Sequence, residues 1–321
     1  MISAGLPALD LPPIGFGGAP LGNLFHAVSA TDSGALLDRA LGAGLRYFDT
    51  APHYGLGLSE RRLGAALAGR DRSQLLVSTK VGRVLDPSPA TASKRDGDGF
   101  DVPAAWRRRR DYSRDGILRS VEHSLIRTGL DRFDVLFLHD PDEHWEAAST
   151  TGVATLAELR DEGVVRAIGV GMNQAELLTR FVRETDIDLV MVAGRYTLAD
   201  QTAERELLPA AQERGVGVLA VGVYNSGLLA RDRVPDDTTF DYAAASPEVV
   251  ARARAIAAVC ERHGVSLPAA ALAFPRRHPA VTSIVVGMQA ATQVDETLER
   301  LSAPVPEDLW QELAAEGLIS G

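Results

Sequence analysis

The chain has 321 residues, 45% of them hydrophobic, enough for one large core or two smaller ones. Its formal net charge of −10 opposes a general role on polyphosphate surfaces, since a nucleic-acid binder shows a basic footprint, and a small-molecule partner is expected instead. The single cysteine, Cys260, excludes an internal disulfide and a cysteine metal knuckle, fits a reducing compartment, and lies in the apolar run "VVARARAIAAVC" as a core thiol.

The opening "MISAGLPALDLPPIGFGG" lacks a basic region followed by an apolar stretch and a cleavage site, and no apolar run approaches ~18 residues. A soluble, cytoplasmic protein with no membrane partner is therefore expected. Short runs rich in Val, Ile, Leu and Phe then alternate with segments of helical period. Strands are expected at "IGFGG" near 14 to 18, "RYFDTA" near 46 to 51, "LLVSTKV" near 75 to 81 and "DVLFLHD" near 134 to 140. "VRAIGVG", "LVMVAGRY", "VGVLAVGV" and "SIVVG" complete the set.

The intervening helices run from "TDSGALLDRALGAG", where Ala35, Leu36, Ala40 and Leu41 form one apolar stripe, to "ATQVDETLERL". Several begin at Ser, Thr or Asp and stop at Gly, as capping requires. Strands apolar on both faces suit a parallel sheet covered by helices. An open doubly wound sheet shares this alternation, but eight strand-helix units over residues 1 to 321 favour one α/β domain closed as a (β/α)8 TIM barrel.

Residues 82 to 112, after the third strand, are rich in Pro, Gly and charge and lack sustained periodicity, so a lid or pocket wall is expected there. Within this loop, Arg107 to Arg110 read as a solvated face, and Trp106 as either a wall for a substrate ring or plain loop packing. "HDPDEH", from His139 to His144, carries metal-ligand types, but its spacing matches no zinc helix and Pro141 interrupts one, so no metal is expected. "VPEDLWQELAAEG" reads as an added C-terminal helix with Leu309, Trp310 and Leu313 on one face.

In a barrel, chemistry sits at the C-terminal ends of strands. Four polar residues finish strands or follow them closely: Asp49, Tyr54, Lys80 and His139. A lysine cation favours a tyrosinate and an aspartate keeps that lysine charged, so the tyrosine pKa is expected to fall toward working pH. A neutral His139 would orient a substrate oxygen without adding charge.

These residues and the ordered motifs "FDTAPHYGLGLSERRLG", "STKVGR", "RAIGVGMNQ", "GVYNSGLLA" and "VVGMQAATQVDE" resemble the aldo-keto reductases. The resemblance implies a catalytic tetrad of Asp49, Tyr54, Lys80 and His139, a nicotinamide cofactor, and Tyr54 exchanging the hydroxyl proton. "DYSRDG", "HDPD", "AGRYTL" and "VYNSGLLA" are similar to the branch of D-threo-aldose (L-fucose) 1-dehydrogenases and pyridoxal 4-dehydrogenase. That branch implies oxidation of a cyclic hemiacetal to a lactone. Pyridoxal oxidation, general NADPH-dependent carbonyl reduction and a cofactor-sensing partner subunit stand as alternatives.

By the same resemblance, Gly18, Asp49, Asn173, Gly222, Asn225, Ser226, Leu228, Gln293 and Glu296 would hold the cofactor. His53, Tyr54, Trp106 and His139 would meet the substrate. The chain departs from the family pattern at Gly171 and Met172, at Ala193, and at Val221, where a ring-stacking Tyr is common. Gly287, Met288 and Gln293 stand where phosphate-binding relatives carry Lys, Ser and Arg, so NAD is expected over NADP. The glycines of "GFGGAPLG" fail the dinucleotide fingerprint at Pro20, and they read as a tight turn or a close backbone approach to the nicotinamide. A monomer or small homo-oligomer is expected.

Overall fold

The computed structural model describes residues 9 to 320, so the first eight residues, on which part of the leader reading rests, lie outside it. Eight parallel strands close a barrel: Ile14–Gly17, Tyr47–Asp49, Leu76–Val81, Val135–His139, Ala167–Met172, Leu189–Ala193, Gly217–Val221 and Val281–Gly287. They are neighbours in chain order, and the last returns to the first with Ile14 paired to Ile284. This is the expected (β/α)8 architecture.

Strand alternation sorts the side chains into two cores. Tyr47, Val135, Phe137, Leu189, Met191, Leu219 and Val285 fill the barrel, while Phe48, Val77, Leu136, Ile168, Val190 and Ile284 join the layer under the helices. Gly15 answers to this packing. A Cβ there would lie 2.4 Å from the Tyr47 ring, so the glycine makes room for a tyrosine inside the barrel.

Local chemistry sets the helix ends. Ser29, Ser113 and Ser246 each accept a backbone N–H at the start of Ala30–Gly42, Arg114–Thr128 and Pro247–Arg262. Gly129 and Gly215 end their helices in the left-handed conformation. One helix, Leu267–Ala273, escaped the periodicity reading because "LPAAALA" is apolar all round and almost entirely buried. The C-terminal helix Glu307–Ala315 buries Leu309, Trp310 and Leu313 as expected. Among the described residues, no helix is long and apolar enough to cross a membrane.

Residues 82 to 112 correct the expectation of an aperiodic loop. Arg83–Pro87 pairs antiparallel with Trp106–Arg110, and Leu56, Leu85, Phe100 and Val102 form a small core beneath this hairpin. Leu24 bridges to Phe100 and ties it to the loop after the first strand. The ordering comes from cross-strand and long-range partners, which local composition does not display.

Helices Leu58–Leu67 and Arg114–Thr128 meet where a Cβ on Gly64 would fall 1.9 Å from the Thr128 carbonyl oxygen. Gly64→Ala is expected to destabilise by ~1–3 kcal/mol through overpacking. Gly42→Ala, with no atom within 4 Å of the new Cβ, serves as the neutral or stabilising control. Thermal unfolding checks both, and equal midpoints would refute the close approach.

Candidate active site

Strands two and three run in register, with Asp49 beside Ser78, so Tyr47, Asp49, Ser78 and Lys80 all point into the barrel. Lys80 Nζ donates to Asp49 Oδ2 at 2.5 Å and to the Thr50 carbonyl at 3.2 Å. Ser78 Oγ donates to Asp49 Oδ1 at 2.7 Å. Since that uses its one proton, the 2.8 Å contact with Tyr47 must have the phenol as donor. The buried carboxylate is thus held on both oxygens.

Tyr54 leans over this pair, its ring centroid 4.6 Å from the Lys80 ammonium and 5.8 Å from the His139 ring, which it meets at 87°. All four tetrad candidates are brought together at the C-terminal mouth. Burial alone would depress the Lys80 ammonium, but Asp49 and Tyr54 reverse this and hold it above its ordinary range. The expected fall in the tyrosine pKa is not met. Burial pushes Tyr54 up to about 12, outweighing the opposing pull of Lys80.

The arginine run also departs from expectation. Alternation along Trp106–Arg110 sends Arg107 and Arg109 outward to Asp86, while Arg108 and Arg110 turn to the site. Arg108 clasps Asp96 at 2.6 and 2.8 Å and donates to the His53 carbonyl at 2.9 Å. Arg110 donates to the His139 carbonyl at 3.0 Å, where Tyr112 donates at 2.7 Å. Arg83, paired with Arg110 across the hairpin, reaches His53 Nδ1 at 3.0 Å and also binds Asp140.

His53 and His139 stand edge to face, centroids 5.3 Å apart. Burial first, then Arg83 and neighbouring cations, holds both imidazoles well below their ordinary range, so both are neutral. Trp106 is not gathered here: it lies at the outer end of the hairpin opposite Pro87, 41% exposed and ~13 Å along the strand from the Arg110 pairing. Phe25 and Tyr242, unmarked in the sequence reading, face each other at 6.4 Å from the loops after strands one and seven. Both are exposed and both take positive φ.

The cofactor candidates divide by place. Gly18 abuts Asp49, where a Cβ would come 2.5 Å from the Asp49 carbonyl oxygen. Asn173 follows strand five, half-buried. Gly222, at φ +66°, follows strand seven, where a Cβ would come 3.3 Å from the Gly194 nitrogen. Asn225 and Leu228 are buried, and Ser226 accepts from the Tyr242 N–H at 3.1 Å. Gln293 and Glu296 lie exposed on the first turns of Ala291–Ser302, Gln293 accepting from the Gln289 N–H at 2.7 Å.

Asn225 donates to the Gly194 carbonyl at 3.1 Å, yet its buried Oδ1 has no partner among the described residues; His139 Nδ1 is likewise orphaned. An unpaired carboxamide oxygen beside a glycine-lined backbone, at the mouth that carries Tyr54, fits a nicotinamide carboxamide and its ribose-phosphate tail.

Removing one partner of the buried ion pair strands the other charge. Lys80→Met is expected to cost ~3 kcal/mol or more in chemical denaturation, with Asp49→Asn/Lys80→Met recovering part of it. Strict additivity of the two losses would show that the charges are uncoupled.

Residues 13–316 match the model of the Aldo/keto reductase family. A D-threo-aldose 1-dehydrogenase from Pseudomonas sp. is 46% identical over 99% of this chain and 97% of its own length. A pyridoxal 4-dehydrogenase from Microbacterium luteolum is 37% identical, covering 98% and 97%. Among solved structures, a glycerol dehydrogenase from Gluconobacter oxydans superposes with a TM-score of 0.78 at 23% identity, covering 99% of this chain and 96% of that one. These aligned lengths span the barrel and the strands that carry the four candidate residues together, and the chain belongs to the aldo-keto reductase family of nicotinamide-dependent oxidoreductases.

Proposed function

We propose that the protein oxidises the cyclic hemiacetal of an aldose to its lactone, with NAD as hydride acceptor and Tyr54 as proton acceptor. The observation that carries this reading is the Tyr54 phenol set over a buried ammonium and beside a neutral imidazole. When bound, the nicotinamide supplies the hydride-accepting carbon. Tyr54 removes the hydroxyl proton, Lys80 stabilises the resulting phenolate, and Asp49 keeps Lys80 charged. His139 donates to the substrate oxygen and fixes its distance from the phenol.

Polar groups beside the Tyr54 and His139 rings, among them His53 with its partners Arg83 and Asp98, suit a polyhydroxylated substrate. The 46% identical aldose dehydrogenase supports the same class. The Phe25 and Tyr242 rings favour a second reading, oxidation of an aromatic hemiacetal such as that of pyridoxal. For the cofactor, Arg39 is committed to Asp295 and Arg300 pairs with Glu296 at 3.2 Å, which leaves their charge already answered and supports NAD.

Oxidation needs the phenolate. With Tyr54 at about 12, the phenolate fraction grows tenfold per pH unit, so kcat/KM for oxidation is expected to climb from pH 7 to 10 without a plateau. Reduction needs the phenol and should stay flat over that range. Tyr54→Phe is expected to lower turnover by ~10²–10⁴, and near-wild-type activity would sink the assignment.

An assay of NAD against NADP across L-fucose, other aldoses, pyridoxal and simple aldehydes tests substrate and cofactor together. Aldose oxidation with NAD at the highest kcat/KM is the expected result. Comparable efficiency with NADP overturns the cofactor assignment, and preference for pyridoxal moves the substrate to the second reading.

A further inference from the structure

We propose that Arg83 is a positioning residue that locks His53 as a hydrogen-bond donor, and that His53 selects substrates bearing a second oxygen on the carbon next to the reacting one. This deepens the oxidoreductase reading above and rests on it for the first oxygen, which lies at His139.

The guanidinium of Arg83 is donor-only at any working pH. Its Nη1 lies 3.0 Å from His53 Nδ1, so Nδ1 must present its lone pair and the ring proton must sit on Nε2. A competing arrangement would put the proton on Nδ1 facing Asp98. That carboxylate stands farther off, at 4.0 Å, and is occupied by Arg108 at 2.9 Å. The nearer partner sets the tautomer.

Among the described residues, Nε2 of His53 makes no hydrogen bond, and 15% of the side chain remains exposed. Ring and backbone are both braced. Phe100 meets the ring at 86° with centroids 5.2 Å apart, and Arg108 holds the His53 carbonyl. His53 therefore carries a fixed donor that the protein itself leaves unused.

The second imidazole gives that donor its meaning. His139 lies 5.3 Å from His53 between centroids, and both rings flank Tyr54, at 5.8 and 6.0 Å. Two neutral donors at this separation reach oxygens on neighbouring carbons, one at the reacting centre and one beside it. Arg83 supports both: its other arm binds Asp140, whose carboxylate is 3.6 Å from His139 Nε2. A substrate lacking the second oxygen leaves the largely buried His53 N–H without a partner on the substrate, and discrimination follows from that loss.

Two measurements test this on the full-length enzyme. Nitrogen-15 NMR of histidine-labelled protein, with His53→Gln assigning one of the seven histidines, reads the tautomer without turnover. The Nε2–H form is expected alone in the wild type and in Arg83→Lys, with an Nδ1–H population appearing beside it in Arg83→Met. Reduction kinetics on 2-hydroxypropanal and propanal then give a kcat/KM ratio, expected to drop ~10-fold in His53→Phe, with His53→Gln keeping part of it.

An Nδ1–H or protonated His53 in the wild type, or an unchanged ratio in His53→Phe, overturns the proposal. Failure to oxidise aldoses, with tautomer and ratio as expected, overturns the sugar reading and leaves this one standing. Lack of turnover on both aldehydes overturns both.

Discussion

Lys80 and Asp49 carry opposite charges at 2% and 4% side-chain exposure inside a closed sheet. Moving either from water costs several kcal/mol, which their attraction offsets only when the remaining lone pairs and protons are also satisfied. The barrel meets that condition with Ser78 on one carboxylate oxygen, Tyr47 donating in turn to Ser78, and the Thr50 carbonyl on the ammonium. Parallel register makes this possible, since it sets Asp49 beside Ser78 and leaves Lys80 one pleat further toward the mouth. The phenol above the pair inherits a fixed positive charge at a fixed height.

Around that floor the protein reverses its own sign. The chain is acidic overall, at −10, yet Lys80, Arg83, Arg108 and Arg110 crowd two imidazoles and a phenol. Carboxylates at Asp96, Asp98 and Asp140 offset part of this field from the side of the hairpin and the strand-four loop. The outcome is a mouth where burial, reinforced by the cations, holds the histidines neutral and still keeps the tyrosine protonated. Proton-accepting power in Tyr54 is thus restrained by enclosure, and the ammonium moderates that restraint without cancelling it.

The strands were readable because most are short runs rich in Val, Ile, Leu and Phe between helices of clear period, and a barrel then dictates that Asp49, Lys80 and His139 share one mouth. Ser78 and Tyr47 were also within reach, since each stands two residues before a candidate residue, Lys80 or Asp49, on the same strand. The hairpin was not. Arg107 to Arg110 looks like a uniform basic patch until a partner strand exists to divide it by alternation, and that partner is set by long-range contacts through Leu24, Phe100 and Leu56. Leu267–Ala273 was hidden for the opposite reason, being too uniformly apolar to show a face. The direction of the Tyr54 shift depends on how deeply the ring is enclosed, which spacing along a chain does not express.

The pairing of Ile14 with Ile284 has a consequence for how the molecule is made. Strand one has two neighbours, and one of them is the last strand of the barrel. A ribosome delivers that strand last of the eight, so until it emerges the nascent sheet has two raw edges and water still reaches Lys80 and Asp49. The charged floor is therefore sealed late, when the final strand zips against the first. Hydration protects the two ions from being trapped apart in a half-built interior, and the same delay makes the open edges the point at which the growing chain is most exposed to association with its neighbours.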